Sequence, residues 1–498
     1  MRSVLTVEQV RAAESAAMAR VPAGTLMQRA ATGLATASVA LLGGCYGRRV
    51  LVVAGSGDNG GDALFAGALL ARRGAAVTAL PVGSRVHAGG MAALLAAGGR
   101  QVDGSASACI ADVDLVVDGI VGIGARPGLQ GLPAEVATAL ATARARPAGG
   151  PRVVACDLPS GVDPDTGETP GVHVSADLTV TFGVHKPGLL IDPGAAAAGV
   201  VELVDIGLTL PDEPPLAVAG LDDVRAWLAP PPREANKYSR GVVGLVTGSP
   251  RYPGAGLLSV HGARCGLAGM VRFVGDESLG QVAAQHFPDV VPHSPDALGR
   301  VQAWVVGSGG GELGPIVPFE RLLADGVPVL VDADGLAFLP APEDRPDGAT
   351  LLLTPHAGEL ARLLDADRAD VEAHRLGYAR SAAAQLDATV LLKGATTVVA
   401  APDGRVRVPA SPGPAWLATA GSGDVLSGLT GALLAAGLDP LAAGIAGTLL
   451  HSAAARLAGP AMTAADLATA LPQAVRQVQR IVQDNRMIDE PGAAVPHN

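Results

Sequence analysis

The chain has 498 residues, which is more than one ordinary hydrophobic core accommodates and predicts two or three domains. Hydrophobic residues make up 49% of it but aromatic residues only 3%, so its apolar mass is alanine, valine and leucine, as in layered α/β proteins. The formal net charge of −11 argues against a nucleic-acid partner, whose phosphates require clustered basic side chains.

No stretch of the sequence is predicted to be a membrane span or a secretion signal. The most apolar region, 428–457, is interrupted by glycines, Pro440 and His451, and the start of the chain lacks the apolar run of a signal peptide. The four cysteines are widely spaced and form no C-x-x-C pair, which argues against a zinc site or a disulfide framework. We therefore expect a cytoplasmic protein.

The first half of the chain alternates short β-branched runs with helical stretches rich in alanine and leucine. The pattern predicts helices over 6–20, 63–73 and 133–143. Strands are predicted at 50–54, 77–81, 115–118, 153–157 and 178–182. This alternation indicates a mainly parallel sheet covered by helices on both faces.

Residues 209–219 are rich in proline and acidic side chains and are predicted to link a domain over 1–208 to a domain over 220–490. After a short predicted helix at 222–228 the α/β alternation restarts, and long alanine-rich helices close the chain. The second set of predicted strands covers 242–247, 269–273, 303–306, 329–331, 350–353, 389–393 and 397–400. The predicted architecture is therefore two α/β domains.

The segment Gly55-Ser-Gly-Asp-Asn-Gly60 follows the first predicted strand and formally matches the G-x-G-x-x-G dinucleotide fingerprint. The next strand carries no acid for a ribose, however, and Asp58 and Asp62 would repel a diphosphate at this helix start. A glycine-rich turn that directs Asn59 and Asp62 toward a polar ligand or a small cation fits better. The simpler alternative is a tight turn in which an aspartate caps the helix.

Two further predicted strands end in an aspartate followed by a glycine-containing loop. Asp118 precedes the loop 119–128, and Asp157 precedes Leu-Pro-Ser160-Gly. Ligands of open α/β sheets bind outside the carboxyl ends of the strands, so these loops are expected to converge there. A single aspartate at a strand end is usually a turn former, whereas three acidic glycine loops together favour a ligand site.

With Phe182-Gly-Val-His-Lys-Pro-Gly188, these segments resemble the NAD(P)H-hydrate epimerase family across most of residues 1–208. The resemblance implies a Rossmann-like three-layer domain. The family usually has asparagine at the position of Asp58 and glycine at that of Ala63. The residues that the resemblance implies for binding the hydrated cofactor are Asp58, Asn59, Gly60, Gly61, Asp62, Gly122, Ile123, Gly124, Ala125, Arg126, Pro127, Gly128 and Asp157.

The same resemblance implies that Asp157 is the catalytic proton-transfer group of the epimerase. A carboxylate at a strand end suits that role if it lies within hydrogen-bond reach of the substrate. The resemblance also implies a potassium ion bound by Asn59, Asp118 and Ser160. We therefore expect potassium as a cofactor of the first domain.

The clearest motif in the second half is Thr419-Ala-Gly-Ser-Gly-Asp-Val-Leu-Ser-Gly428. Glycines before an apolar helix leave backbone amides free to bind an anion, which the helix dipole also attracts. Asp424 lies at the start of that helix and could accept a proton from a hydroxyl near the same phosphate. The alternative is a plain glycine-rich helix cap. The chain contains no G-x-x-x-x-G-K-[ST] motif, so a P-loop is excluded.

Lysine is rare, since only Lys186, Lys237 and Lys393 occur among 36 basic residues. Because arginine has replaced lysine almost everywhere, a retained lysine indicates a need for a compact ammonium group. Lys393 follows a predicted strand and opens Lys-Gly-Ala-Thr-Thr397, where it suits phosphate binding. The segment 305–311, Val-Val-Gly-Ser-Gly-Gly-Gly, is a second glycine-rich turn after a strand.

The segment Thr354-Pro-His-Ala-Gly-Glu359 is predicted to begin a helix, with Thr354 as the N-cap and Pro355 at the first helical position. His356 in this segment is equally suited to capping the helix and to binding a ligand. Glu359 is expected on a solvated helix face.

With Asn236-Lys-Tyr-Ser-Arg-Gly241 and Val331-Asp-Ala-Asp-Gly335, these segments resemble the ribokinase-like fold and, within it, the ADP- or ATP-dependent NAD(P)H-hydrate dehydratase family over 220–480. The resemblance implies ADP and magnesium as cofactors. The family commonly has asparagine at the positions of Ala337 and Pro414. The implied hydrate-binding residues are Ala255, Gly309, His356 and Asp424, and the implied nucleotide-binding residues are Lys393, Gly394, Ala395, Thr396, Thr397 and Gly423.

Together the two resemblances imply a bifunctional enzyme that epimerises the R and S hydrates of NADH and NADPH and dehydrates the S hydrate. In the second reaction Asp424 is the catalytic base for phosphoryl transfer to the ring hydroxyl, which then leaves as phosphate. The expected partners are small-molecule substrates, with no nucleic acid and no membrane, and alanine- and leucine-rich helices favour a homo-oligomer.

Two alternatives remain from the sequence. One is a ribokinase-like kinase of the vitamin type, which would release a phosphorylated alcohol rather than inorganic phosphate. The other gives the first half only a binding or scaffolding role. The combination of Asn59, Asp118 and Asp157 favours an active site over that second alternative.

Overall fold

The computed structural model describes residues 1–124, 126–147, 149–312 and 314–488. The chain divides into two compact units. The first unit consists of Ser3–Leu216 with Glu372–Leu376, and the second of Met1–Arg2, Ala217–Val371 and the chain from Gly377 onward. The division after Leu216 falls inside the segment expected to be a linker, 209–219. The assignment of Glu372–Leu376 to the first unit has no counterpart in the sequence pattern.

The sheet of the first unit has the strand order β4-β3-β2-β5-β6-β7-β8, and its neighbouring strands pair in parallel. Strand β2 is buried at every position after its first, as expected for a strand covered by helices on both faces. Following β1 (Arg2–Ser3), the strands are β2 (Arg49–Ala54), β3 (Ala76–Pro81), β4 (Arg100–Gln101), β5 (Leu115–Gly119), β6 (Arg152–Cys156), β7 (Leu178–Phe182) and β8 (Val200–Val204).

Helices cover this sheet, and the first of them begins at a capping box. The Thr6 hydroxyl accepts a hydrogen bond from the Gln9 amide, while the Gln9 side chain accepts one from the Thr6 amide. The second ends at Gly43, which has a φ of 64° that a glycine adopts without strain. The helices are α1 (Val7–Met18), α2 (Thr25–Leu42), α3 (Asp58–Arg72), α4 (Ala88–Ala96), α5 (Ala106–Ile110), α6 (Gly131–Arg144) and α7 (Gly194–Ala198).

The sheet of the second unit has the order β1-β9-β18-β17-β16-β15-β14-β13-β10-β11-β12. It is parallel from β16 to β12, whereas β17 pairs antiparallel with both β16 and β18. The strands are β9 (Leu216–Ala219), β10 (Val242–Val246), β11 (Met270–Val274), β12 (Val290–His293), β13 (Ala303–Val306), β14 (Val329–Val331), β15 (Leu351–Leu353), β16 (Thr389–Leu392), β17 (Val398–Ala400) and β18 (Val406–Pro409).

The remaining helices include two that are apolar around most of their circumference and lie in the core. All residues of α15 from Val425 to its end are buried, because the helix packs on both the sheet and other helices. The helices are α8 (Leu221–Trp227), α9 (Pro253–Ala263), α10 (Glu277–His286), α11 (Phe319–Leu323), α12 (Ala357–Leu363), α13 (Arg368–Ala373), α14 (Arg375–Gln385), α15 (Ser422–Ala435), α16 (Pro440–Ala458) and α17 (Ala464–Ile488).

Among the described residues, α16 is the one helix whose length and composition would allow it to cross a membrane. Buried residues make up 72% of its apolar segment. This is the burial expected of a core helix, and length and composition alone are weak grounds for a span.

Both sheets contain a point at which the strand order reverses. In the first unit it lies between β2 and β5, and in the second between β10 and β13. Loops that follow two such strands leave in opposite directions, which opens a crevice at the carboxyl edge of the sheet. The topology therefore places one candidate ligand site in each unit.

The expected α/β class with mainly parallel sheets is confirmed. Strands β7, β13 and β14 have the bounds expected from the sequence, and most other predicted strands differ by one or two residues. The prediction that Thr354 caps a helix beginning at Pro355 is wrong. The N-cap is His356, and the helix starts at Ala357.

Substituting Gly428 tests the packing of α15 on α9. A Cβ atom at this position would lie 1.9 Å from the backbone oxygen of Ser259, so Gly428→Ala must push the two helices apart. We expect a loss of about 1–3 kcal/mol in the free energy of unfolding. Tryptophan fluorescence during urea unfolding reports on the second unit, which contains all three tryptophans: Trp227, Trp304 and Trp416.

The matched control is Gly377→Ala in α14, where no atom lies within 4 Å of an added Cβ. Alanine is favoured over glycine in a helix, so this change should be neutral or stabilising by about 0.5–1 kcal/mol. Equal midpoints for Gly428→Ala and the unsubstituted protein would contradict the packing account.

Candidate functional site

The first unit contains a cleft of about 560 Å³ at the carboxyl edge of its sheet, where the strand order reverses. Loops after β2, β5 and β6 and part of α1 surround it. The lining residues are Arg11, Glu14, Gly55, Ser56, Gly57, Asp58, Asn59, Asp62, Val82, Gly83, Ile120, Val121, Gly122, Ile123, Gly124, Pro133, Asp157 and Phe182.

Asp157 lies directly after β6 and has a φ of 66°, a conformation that few residues other than glycine adopt. Its carboxylate accepts hydrogen bonds from the Lys186 ammonium at 2.5 Å, the Thr181 hydroxyl at 3.1 Å and the Phe182 amide at 3.2 Å. The Lys186 side chain is only 1% exposed. The rare lysine thus fixes the orientation of a carboxylate that faces the cleft.

Asn59, Asp118 and Ser160 meet around the backbone of Val121. The Ser160 hydroxyl donates to Asp118 at 2.6 Å, and the Asn59 amide group donates to the Val121 oxygen at 3.1 Å. The backbone amides of Ser160 and Ile120 also donate to Asp118, at 2.9 and 3.2 Å. Burial nevertheless raises the pKa of Asp118 to about 6. These side chains form a compact cluster rich in oxygen atoms, in which hydrogen bonds only partly compensate the burial of the Asp118 carboxyl group.

Further carboxyl groups face the same space. Burial, followed by the nearby charges of Asp157, Asp58 and Glu14, raises the pKa of Asp62 well above its ordinary value. Burial and the charge of Asp157 likewise raise the pKa of Glu14. The cleft therefore combines several acids, and one of them, Asp157, has a lysine partner.

Some residues expected to bind the substrate lie behind the cleft rather than on its surface. A Cβ atom at Gly60 would be 2.3 Å from the Gly55 oxygen, and one at Gly61 would be 2.9 Å from the His87 ring, so both positions allow α3 to pack closely. Arg126, Pro127 and Gly128 are not among the lining residues, and Ala125 lies outside the described residues.

Two lining residues that the motifs did not indicate are Arg11 and Glu14 of α1. An added Cβ atom at Gly124 would be 2.8 Å from the Arg11 guanidinium, so this group lies against the loop after β5. Neither residue belongs to a glycine-rich motif. Only the packing of α1 in the first unit brings them to the cleft.

The second unit contains a larger cleft, of about 1020 Å³, beside the reversal between β10 and β13. Ala255, Gly309 and Asp424, three of the expected hydrate-binding residues, line it. An added Cβ at Gly309 would be 2.7 Å from the Ala255 Cβ, so these two form adjacent wall positions. The other lining residues are Arg251, Tyr252, Gly311, Glu312, Ala333, Asp334, Leu336, Ala337, Phe338, Leu339, Glu359, Arg362 and Leu363.

Asp424 lies in the first turn of α15, whose N-cap, Gly421, has a φ of 88°. Burial and the charge of Asp332 raise the pKa of Asp424 to about 6, although a hydrogen bond from Ser308 and the charge of Lys393 act in the opposite direction. A carboxyl group with this pKa is suited to exchange protons near neutral pH.

Lys393 connects the loop after β16 to the start of α15. Its ammonium donates to Asp332 at 2.7 Å and lies 3.7 Å from Glu359. An added Cβ at Gly423 would be 3.6 Å from the same ammonium. Burial would raise the pKa of Asp332, but the Lys393 ion pair and the Ser427 hydroxyl hold it below its ordinary value. A positive group therefore stands beside the partly exposed start of α15.

The other residues expected to bind nucleotide follow Lys393 in the loop. Gly394 and Ala395 are exposed, whereas Thr396 and Thr397 are buried. Within the loop, the first two positions are therefore the accessible ones.

His356 acts as a helix cap and is not among the residues that line the cleft. Its ring accepts a hydrogen bond from the Glu359 amide at 3.1 Å, and Glu359 accepts one from the His356 amide at 2.7 Å. The expectation of a solvated Glu359 is wrong, because this residue is buried, 9% exposed, and lines the cleft. The capping box turns the carboxylate inward, toward Lys393.

His451 of α16 was not expected to contribute to the site. It is buried, and its Nε2 lies 3.0 Å from the carbonyl oxygen of Ser422, to which it donates. Burial lowers the pKa of this imidazole to about 4. A neutral ring therefore supports the glycine-rich loop from behind.

Two family models match separate parts of the chain. Residues 23–188 match the family described as YjeF-related protein N-terminus, and residues 243–477 match the NAD(P)H-hydrate dehydratase family. A solved structure, the ADP/ATP-dependent NAD(P)H-hydrate dehydratase of Bacillus subtilis co-crystallised with ATP and Mg²⁺, is 28% identical. It covers 52% of this chain and 98% of its own, with a TM-score of 0.47.

Curated relatives match across both halves. The bifunctional NAD(P)H-hydrate repair enzyme Nnr of Mycobacterium tuberculosis is 46% identical over 88% of this chain and 90% of the relative. Its counterpart from Mycobacterium leprae is 43% identical over 96% of this chain and 99% of the relative. The chain therefore belongs to the family of bifunctional NAD(P)H-hydrate repair enzymes.

Proposed function

We propose that the chain repairs hydrated nicotinamide cofactors at two independent sites. The first unit epimerises the R and S hydrates of NADH and NADPH, and the second dehydrates the S hydrate in an ADP-dependent reaction. The main support is that Asp157 and Asp424 each line a cleft at the strand reversal of their own sheet. Relatives that match most of the chain are named for this repair.

In the first cleft Asp157 is the proposed proton-transfer group. Lys186, Thr181 and the Phe182 amide hold its carboxylate in one orientation toward the cleft, so little reorganisation is needed when a substrate binds. Loops 55–59 and 120–124 line the cleft, and we place the hydrated ring and its ribose against them.

Potassium is proposed to bind Asn59, Asp118 and Ser160. The side chains fit a hard monovalent cation in their chemistry, because the Ser160 hydroxyl oxygen lies within hydrogen-bond distance of oxygen atoms of Asp118 and Val121. The Asn59 side-chain amide reaches the same Val121 oxygen. The raised pKa of Asp118 shows that protein donors leave its charge partly uncompensated. A bound cation would supply positive charge there and fix the loop after β5, which lines the cleft.

In the second cleft Asp424 is the proposed base. It takes the proton of the ring hydroxyl while that oxygen attacks the terminal phosphoryl group of ADP, whose bond to the bridging oxygen breaks and releases AMP. The phosphorylated oxygen then leaves as phosphate while the adjacent ring carbon loses a proton, which restores the reduced nicotinamide. Lys393 and the amides of Gly421 and Gly423 hold the nucleotide phosphates, since the Ser422 amide donates to the Thr419 oxygen.

Magnesium is the proposed metal of this site and, when bound, neutralises phosphate charge. The carboxylates of Asp334 and Glu359 line the cleft and are ligands of the type that Mg²⁺ accepts, which leaves Asp424 to act as the base.

The proposed setting is the cytoplasm, with small molecules as substrates and a homo-oligomeric assembly. All four cysteines are free thiols, as is usual in a reducing compartment. Strand β8 is an edge of its sheet and exposes Val200, 69% of which is accessible, so this edge offers a surface for self-association.

Single substitutions should separate the two activities. Asp424→Asn removes the base and is expected to abolish ADP-dependent recovery of reduced-cofactor absorbance from the S hydrate, while epimerisation continues. Asp157→Asn should have the reverse effect. The activity that each variant retains shows that the variant is folded. Loss of both activities in either variant would contradict independent sites.

The dehydratase should require an ionised Asp424. Since the pKa of this carboxyl group is raised to about 6, the base is protonated below that value and free above it. We expect kcat/KM for dehydration to fall about tenfold per pH unit below about pH 6 and to level off above it. A profile that stays flat down to pH 4.5 would show that Asp424 is not the base.

Exchanging potassium for choline at constant ionic strength should lower epimerisation and leave dehydration unchanged. The Asp118→Asn variant should lose this response, because its side chain no longer supplies negative charge to the cation. Epimer ratios measured by chromatography over a potassium titration test the effect. An epimerisation rate that is independent of potassium in the unsubstituted protein would refute the cation site.

A further inference from the structure

Asp62 has an environment that no other acid of the first cleft shares. It lies on α3 and lines the cleft, and within the described part of the chain its buried Oδ1 atom has no hydrogen-bond partner. A buried polar atom without a partner destabilises the folded protein. Asp58, one turn earlier, is exposed to water. One oxygen atom of the Asp62 carboxyl group is therefore enclosed without a protein partner, while the residue itself borders the space that a ligand would occupy.

Asp62 and Asp157 differ in the groups that surround their carboxyl oxygens. Asp157 has the Lys186 ammonium, a hydroxyl and a backbone amide as hydrogen-bond donors. Asp62 faces the acids Asp157, Asp58 and Glu14, and these charges together with burial raise its pKa. One cleft thus holds a carboxylate that is paired with a cation and a carboxyl group whose surroundings favour the neutral acid.

Inversion at the hydrated ring carbon requires both kinds of group. The carbon–oxygen bond breaks when the hydroxyl receives a proton and leaves as water, while the ring nitrogen supplies an electron pair and forms a carbon–nitrogen double bond. A second water then adds to the opposite face and gives up a proton. An acid is needed for the departing oxygen and a base for the incoming one.

We propose that Asp62 is the general acid of epimerisation and Asp157 its complementary base, an inference that rests on the proposed function of the first unit. In the R to S direction Asp62 donates its proton to the departing hydroxyl, and Asp157 accepts a proton from the incoming water. The proton then returns from Asp157 to Asp62 through the water in the cleft. In the S to R direction the hydroxyl leaves from the face beside Asp157, and water adds to the face beside Asp62. Asp157 is then the acid and Asp62 the base.

The test is Asp62→Asn in the full-length protein, with purified R hydrate as substrate. The amide has nearly the same shape but no acidic proton, so kcat for epimerisation should fall about 100-fold or more while KM changes little. Asp62→Glu, which restores a carboxyl group, should recover part of kcat. Asp112→Asn, which removes a carboxylate that is 88% exposed, is the matched surface control.

Dehydration of purified S hydrate by the same variants shows whether the protein is folded. Wild-type kcat in Asp62→Asn, or epimerisation in labelled water without uptake of labelled oxygen, would overturn the assignment of Asp62 and leave the proposed function intact. If the unsubstituted protein does not accelerate epimerisation above the rate in buffer, the proposed function of the first unit itself fails.

Discussion

Two lysine–aspartate ion pairs with buried carboxylates make the acidic clefts possible. An ionised carboxylate taken out of water is destabilising by several kcal/mol unless a partner compensates it. Lys186 compensates Asp157, and Lys393 compensates Asp332. These are two of the three lysines in a chain that otherwise uses arginine. A compact ammonium reaches one carboxylate oxygen without filling the adjoining cleft, which the larger planar guanidinium would do.

The fold determines which acids come together. In each unit the strand order reverses once beside the cleft, so the loops after the strands diverge and leave their acidic residues facing a crevice. Burial at this edge raises the pKa of Asp118 and of Asp424 to about 6. Each cleft thus brings a carboxyl group with a raised pKa close to a carboxylate that a lysine compensates. The first kind of group can donate a proton, and the second kind can accept one.

The sequence predicts most of the strands and the loops that follow them, because alternation and glycine-rich turns are local properties, but it missed β1, β4, β8, β9, β12 and β18. It does not reveal Arg11 and Glu14 in the first cleft, since they lie on α1 and reach the site only by packing. The inward position of Glu359 was also missed, because a glutamate on a short helix is usually solvated and only the contact with Lys393 reverses that preference. The assignment of Glu372–Leu376 to the first unit likewise depends on long-range contacts.

The central claim is that two carboxylates in two separate clefts carry two separable reactions. A mixture of Asp157→Asn and Asp424→Asn proteins, supplied with ADP and an equal mixture of R and S hydrates, tests it most directly. Separate sites predict that the mixture restores the absorbance of all the reduced cofactor at an accelerated rate, while Asp157→Asn alone restores the S share quickly and the remainder at the uncatalysed rate. Failure of the mixture to exceed the recovery rate of Asp157→Asn alone would contradict the account.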